Sequence, residues 1–475
     1  MGKILLLTRE RNSRRWHAAL VERLEAAGHE ISISKLAGAG TGRHALDRAL
    51  AVERHFFNVS LAQLAAPMAP KSSDKHDLVI DLTGTAGAQD KPMLSLEIFG
   101  SGNVIDGISR AAAARQSAEF VARLDGVAVG RARPAISNGL QVSRILDELL
   151  VGAISLTVQV ANRFLDGTLK PAVERPADRA PCGGFLRAYL SFAAAALFAR
   201  LGRKRAVHWQ VAYRMIDGPG VAETGRLDGE AYSILADDGE RFYADPFVFE
   251  HDGRHYLFVE ELPYNTGKGI ISVSVLDDND RFSLPQVVLE ESHHLSYPQI
   301  FAENGEIYMI PESGAAREVV LYRAVRFPDR WERQAVLIEG RNLNDMTLLR
   351  SDGAYWLFGT ERIGNGNPSD TMVVYRAPAL EGPWVPHPMN PIVIDEAGAR
   401  PGGAFIRRDG RIFLPVQDCS RIYGGGLGLM ELMRLDETAV VFGSVVPIEG
   451  GPAWVRSGTH TLNREGRLEV VDSCG

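Results

Sequence analysis

The chain has 475 residues, 45% of them hydrophobic and 23% charged, which is enough to bury more than one core. A formal net charge of −7 excludes a general affinity for nucleic acid or anionic lipid. Three scattered cysteines, Cys182, Cys419 and Cys474, match neither a disulfide framework nor a zinc spacing, so a reducing, cytoplasmic setting is expected.

The first residues, MGKILLLTRERNSRRW, carry an apolar run too short for a secretory signal and read as a strand at Lys3–Leu7. A helix pattern follows from about Ser13 to Ala27, stopped by Gly28, and a second strand is expected at Glu30–Ser34. Further strands are expected at Asp77–Leu82 and Gly126–Val129, then a long amphipathic helix over Gln141–Asp166. Strands alternating with helices imply a parallel, Rossmann-like α/β domain over residues 1–166. The loop after the first strand, TRERNS, has no glycine, which argues against a dinucleotide site built on a G-x-G-x-x-G turn.

Residues 167–206 read as a Pro/Arg/Ala-rich linker followed by an apolar helix. The segment Phe185–Leu201 is near the lower length limit for spanning a bilayer and is interrupted by Arg187. Two readings stand. It lies on a membrane with the basic run Arg200–Arg205, giving peripheral contact through 185–205, or it packs between domains.

From residue 207 to 475 the chain repeats itself. Five stretches share one plan: a polar or Pro/Gly start, an apolar strand, a turn ending in glycine, and a second apolar strand. They are ADPFVFEHDGRHYLFVEE, YPQIFAENGEIYMIPE, NDMTLLRSDGAYWLFGTE, RPGGAFIRRDGRIFLPVQD and SGTHTLNREGRLEVVD. The turn glycines, Gly253, Gly305, Gly353, Gly410 and Gly466, are 52, 48, 57 and 56 residues apart. An all-strand repeat of that period predicts a five-bladed β-propeller. The last repeat has only two strands, so His208–Ile216 is expected to complete its blade and close the ring.

Eight residues before each turn glycine stand Asp245, Tyr297, Asp345, Gly402 and Gly458, at the channel end of each inner strand. The second strands end in Glu260-Glu261, Glu312, Glu361, Gln417-Asp418 and Asp472. Crowded carboxylates raise one another's proton affinity and can split into an acid and a base, as glycosyl chemistry requires. Each of these acids, taken singly, also suits a turn that satisfies backbone donors.

The ADPF start, the five-blade count, the phrase GPW…HPMNPIV and the final GTHTLN resemble the glycoside hydrolase family 43/32/68 propellers. More closely, YADPFVFEHDGRHYLFVEE, ARPGGAF…PVQDCSRIYGGG and SGTHTLN resemble the N-terminal domain family of plant glucosamine inositolphosphorylceramide transferases. The hydrolase resemblance implies Asp245 as general base and Asp345 as the carboxylate that tunes the acid. Where that family has its acidic glutamate, this chain has RPGG with Arg400, leaving Glu396 as a substitute only if its loop folds back. Arg400 reads either as a clamp for a phosphate or carboxylate or as a loop anchor on a carboxylate such as Asp395. His460 matches a histidine that faces a channel calcium or water in that family, and equally a structural histidine. Glu261, Tyr297, Gln299, Glu361, Gln417, Asp418, Arg421 and Tyr423 complete the expected substrate-binding set, with Trp356, Trp384 and Tyr264 as stacking surfaces.

The N-terminal domain more faintly resembles formyltransferases, but LSLEIFGSGNVIDG (Leu94–Gly107) lacks the histidine that family relies on. A binding or scaffolding role is therefore expected there. The expected function is a step of cell-surface glycan biosynthesis on a sugar or nucleotide-sugar substrate, most directly glycosyl transfer. A family 43-like hydrolase and a non-catalytic carbohydrate-binding module are the rivals, and an active formyltransferase is a distant third.

Overall fold

The structure, a computed structural model, describes residues 2–474 apart from 10–12, 37–44, 56–58, 67, 69–74, 88, 138–140, 177, 180–188, 192–193, 195–207, 452–453 and 455–457. The chain divides into two compact units: Met1–Lys204 with Ile363–Asn367, and Arg205–Arg362 with Pro368–Gly475. The basic run and most of the apolar segment 185–201 lie outside the described residues.

In the first unit a six-stranded sheet has the order β2-β1-β3-β4-β5-β6. The strands are β1 (Lys3–Arg9), β2 (Glu30–Leu36), β3 (Leu78–Asp81), β4 (Met93–Ile98), β5 (Phe120–Leu124) and β6 (Val127–Ala132). The helices are α1 (Arg15–Ala26), α2 (Ala45–Glu53), α3 (Val104–Ala114) and α4 (Val142–Leu165). β1 is almost uninterruptedly apolar because it pairs in parallel with β2 on one side and β3 on the other. The sheet departs from the all-parallel expectation at β5, which pairs antiparallel with both β4 and β6. Asp125 and Gly126 both have positive φ, at 49° and 84°, and this two-residue turn folds β5 and β6 into a hairpin. The helix α4 alone among the described residues is long and apolar enough to cross a membrane, and 94% of its most apolar window is buried inside the protein. The first part of the expected linker is laid along β6, where Ala172 N donates to Ala128 O at 2.8 Å and Arg131 Nε to Val173 O at 2.9 Å.

The second unit is a five-bladed β-propeller. Its first blade is Arg241–His251, Arg254–Pro263, Ile270–Val275 and Gln286–Leu289, in that order from the axis outward. The next three blades repeat this order from Ser296, Leu343 and Ile406. In blades one to four the inner hairpin turns on Asp252-Gly253, Asn304-Gly305, Asp352-Gly353 and Asp409-Gly410, with φ between 49° and 84° throughout. Two consecutive left-handed residues match the natural strand twist, which is why Asn/Asp-Gly pairs stand there.

The fifth blade has the order Leu462–Glu465, Leu468–Cys474, Trp209–Met215, Ser233–Ile234. Trp209–Met215 therefore closes the ring as the sequence implied, pairing antiparallel from Cys474↔Trp209 to Leu468↔Met215. Apolar clusters fill the wedges between blades; the seam joining last to first holds Val211, Tyr213, Val248, Leu257, Leu468 and Val470. Leu468 is fully buried there. Leu468→Ala is expected to destabilise the propeller by about 2–5 kcal/mol in urea unfolding, because the seam has no alternative partner to collapse onto. An unchanged midpoint would contradict closure through this strand.

Candidate functional site

The inner strands begin with a shared distortion. Asp245, Tyr297, Asp345 and Gly458 all have positive φ, between 47° and 70°, and pairing in the first three blades slips at this point. In blade four the left-handed residue is Gly403, at 141°. A bulge of this kind re-aims a side chain, and here it brings residues of different blades into contact around the axis.

Asp245, 4% exposed, accepts from Tyr297 N at 3.1 Å and Thr461 Oγ1 at 2.9 Å. Its own amide donates to Asp472 Oδ2 at 3.1 Å. Asp472 also accepts from the amides of His460 and Thr461, both at 2.9 Å. The His460 ring lies between these acids, with Nδ1 2.5 Å from Asp472 Oδ2 and Nε2 3.5 Å from Asp245 Oδ1, stacked on Trp209 at 4.1 Å. Tyr297 is fully buried, with its hydroxyl 2.9 Å from Thr347 Oγ1 and accepting from Gly403 N at 2.7 Å.

On the other side, Arg400 grips Asp345 through Nε at 2.6 Å and Nη2 at 3.1 Å. The same guanidinium reaches Glu312 Oε2 and Pro368 O, both at 3.3 Å. Gln417 Nε2 donates to Asp345 Oδ2 at 2.8 Å. Tyr423 lies over Arg400 at 5.2 Å and edge-on to His460.

These contacts set the proton affinities. Burial raises Asp245 to about 7, with His460 opposing and Asp345 adding to the rise. Burial raises Glu312 to about 8; Asp345 adds to it and Arg400 opposes it. Burial alone would strip the proton from His460, but Asp472 and then Asp245 more than reverse this and lift it to about 9. Two carboxyl groups inclined to hold a proton near neutrality thus flank one fixed ion pair.

Asp245, Asp345, Tyr297, Arg400, Gln417, Tyr423 and His460 are therefore linked by direct contacts, whereas several other expected site residues have partners elsewhere or are exposed. Glu261 is turned into its blade, held by Arg241 and by Ser272 Oγ at 2.6 Å. Glu361 pairs with Arg341 at 2.7 Å. Gln299 bridges blades two and three through Leu348 N at 2.7 Å. Asp418 caps its loop by accepting from Ser420 N at 2.9 Å, and Arg421 is exposed. Glu396 is buried, its carbonyl accepting from Cys419 N at 2.8 Å, and the charges acting most strongly on Asp245 and Glu312 are others. Arg400 is a correction too. Its partner is Asp345 rather than Asp395, and with most of its N–H groups engaged the anion-clamp argument loses its basis. Trp356 is core packing, 3% exposed, and Trp384 donates to Leu380 O at 3.1 Å.

The sequence reading passed over Glu312, Glu260 and His294 as site residues. Glu260 pairs with His294 at 3.2 Å and contributes to the rise of Asp245. Strand alternation was the available signal: of the neighbours Glu260 and Glu261, one must face the channel and the other the blade.

Asp245, His460 and Asp472 bring one ligand atom each within 4.8 Å of one another. Of the alternatives near His460, a calcium, a water or a structural histidine, this set does not fit the calcium. All four carboxylate oxygens already have donors, and calcium takes about six or more oxygen ligands. The protonated imidazole supplies the positive charge between the two acids instead.

Residues 233–466 match the family described as "Glucosamine inositolphosphorylceramide transferase 1, N-terminal". The curated protein of that name from Oryza sativa subsp. japonica is 34% identical over 226 residues, covering 47% of this chain and 30% of the relative. That from Arabidopsis thaliana is 33% identical over 222 residues, covering 45% and 29%. The matched part thus spans less than a third of these relatives' length. Among solved structures, Cellvibrio cellulosa α-L-arabinanase is 18% identical, with a TM-score of 0.33, over 43% of this chain and 78% of that one. An exo-β-1,3-galactanase from Clostridium thermocellum is 11% identical, with a TM-score of 0.37, over 51% and 60%.

Two outcomes test the site's electrostatics. Arg400→Met leaves the buried Asp345 unpaired and is expected to cost about 3–5 kcal/mol in denaturant unfolding, partly recovered by adding Asp345→Asn. Asp245, Glu312 and His460 all bind protons more tightly folded than unfolded, so stability falls as pH rises. The carboxyl contributions drain away from their ordinary range up to about 7 and about 8, and the His460 contribution, complete below its ordinary range, is lost through about 9. The melting temperature should decline across that window at constant ionic strength, and less steeply in Asp245→Asn; a rise would contradict the assignment. In sequence, the propeller of this chain is similar to the N-terminal domain of the glucosamine inositolphosphorylceramide transferases, the resemblance its blade motifs carried.

Proposed function

We propose that the propeller is a carbohydrate-active unit that works on a glycosidic bond in glycan assembly, with Asp245 and Glu312 as its proton-handling pair. The observation that carries this reading is the buried cluster in which both carboxyls are raised toward neutrality beside the Asp345–Arg400 pair. Asp245 takes a proton from the incoming hydroxyl, and Glu312, protonated at neutral pH, gives one to the departing oxygen. Asp345 keeps Glu312 protonated, while Arg400 holds Asp345 in place. His460 and Asp472 orient Asp245. Glu312 fills the role that Arg400 vacates, so an acid-assisted departure no longer needs an anionic donor.

The relatives' name, that of a transferase, supports transfer of a sugar over its hydrolysis, and the transfer reading is the one we favour. A non-catalytic sugar-binding role is the second reading. It is favoured by the complete hydrogen bonding of Asp245 and Asp345.

Purified protein is to be assayed with nucleotide sugars plus a glycolipid acceptor, and with aryl glycosides alone. Asp245→Asn and Glu312→Gln should each lower turnover by about 10²–10⁴-fold with the fold intact. The rate should peak between about 7 and about 8, and Glu312→Gln should lose the alkaline limb. Sugar binding without turnover, unaltered by both substitutions, would leave the binding role in its place.

A further inference from the structure

A cavity of about 590 Å³ opens in the N-terminal unit, walled by residues that follow β1 and β3 and by the starts of α1 and α3. The strand order reverses direction between β1 and β3: β2 lies on one side and β4 on the other. In open α/β sheets the crevice beyond the carboxyl ends of the strands at such a reversal is where ligands bind. The volume is that of a site for a metabolite of nucleotide size.

Among the described residues the wall has one unbalanced cation. Arg9, the last residue of β1, donates through Nη2 to Thr85 Oγ1 at 2.6 Å, and among the described residues no carboxylate pairs with it. The other arginine in the wall, Arg14, is neutralised by Asp47 at 2.9 Å. Asp106 is held by Arg110 at 2.8 Å. His17 is neutral, because burial and then Arg14 push it down to about 3.

The loop after β3 is built around Asp81, which accepts from Thr83 N at 2.7 Å, Thr83 Oγ1 at 2.6 Å and Ala86 N at 3.1 Å. Gly84, at φ +66°, lies so close to the start of α3 that a Cβ would fall 2.4 Å from Gly102 O. Only glycine allows that approach, and Thr83 and Thr85 line the same cavity as the first turn of α3. There the amides of Val104 and Ile105 stand at positions with no acceptor inside the helix.

A separate sign of a missing partner comes from Trp16. It lines the same cavity and is 1% exposed, and its indole Nε1 has no hydrogen-bond partner. Buried donors are almost always satisfied, and an orphan beside a cavity points to an acceptor that arrives with a ligand.

We propose that this cavity binds a small anion-bearing metabolite of nucleotide size. Its phosphate or carboxylate sits at Arg9, Thr85 and the first amides of α3, and its ring or apolar body lies against Leu46 and Leu82 with an acceptor for Trp16. All the residues of this wall belong to the N-terminal unit.

Titration calorimetry on the full chain at low salt tests it, with adenosine 5′-monophosphate, inorganic phosphate and benzoate as probes. Adenosine 5′-monophosphate or benzoate should bind more tightly than about 1 mM, and which of the two prevails tells a phosphate head from a carboxylate. Arg9→Gln should weaken that binding about tenfold or more. Trp16→Phe, which keeps the ring and removes the N–H, should weaken it several-fold, and Asp245→Asn should leave it unchanged. No heat from any probe overturns the proposal, as does binding that survives both Arg9→Gln and Trp16→Phe or is abolished by Asp245→Asn.

Discussion

The propeller depends on one buried carboxylate more than on any other group. Asp472 accepts from the amides of Asp245, His460 and Thr461 and lies 2.5 Å from His460 Nδ1, so a single side chain of the last strand fastens the start of the first blade to the fifth. The strand that carries it is held in turn by Trp209–Met215. Ring closure and the shape of the channel mouth are therefore one construction. The same fastening decides the state of Asp245, whose two oxygens face an amide and a hydroxyl while an imidazolium stands nearby.

Charge is managed in two neighbouring compartments. One holds Asp472, His460 and Asp245, where a proton on the histidine offsets two acids. The other holds Asp345, Glu312 and Arg400, where one guanidinium meets two acids and a carboxyl keeps its proton. Buried ion pairs seldom stabilise a fold beyond what apolar side chains would achieve. Their retention at the axis fits a site in which proton affinity has to be set rather than a core that has merely to be filled.

Much of the propeller was legible because its signals are local and periodic. The Asn/Asp-Gly turns mark each inner hairpin, the odd two-stranded fifth repeat calls for a strand from elsewhere, and counting back from the turns reaches Asp245, Tyr297 and Asp345. The partners of Arg400 were not legible, since they come from other blades, 55 and 88 residues away. Glu312 was in view at a strand end but looked like its neighbours in the repeat; what separates it from Glu361 is its place beside Asp345 and a guanidinium it shares with that acid, whereas Glu361 has Arg341 to itself. In the N-terminal unit the parallel pairing of β1–β4 was readable from strands alternating with helices. The β5–β6 hairpin was missed because its Asp-Gly turn lay between two short, weakly apolar segments.

The repeated left-handed kink restricts which amino acids the axis accepts. Asparagine, aspartate and glycine enter that conformation at small cost, whereas β-branched and most long side chains resist it. This accounts for short carboxylates at Asp245 and Asp345 and for glycine at Gly458, while the longer acids Glu260 and Glu312 come from the adjoining strands; Tyr297 takes the same conformation against the preference, its hydroxyl tied to Thr347 and Gly403. Drift at these positions is thereby channelled into a small alphabet, so a scaffold of this type diversifies by exchanging a few interchangeable residues around one rim and leaves its architecture untouched.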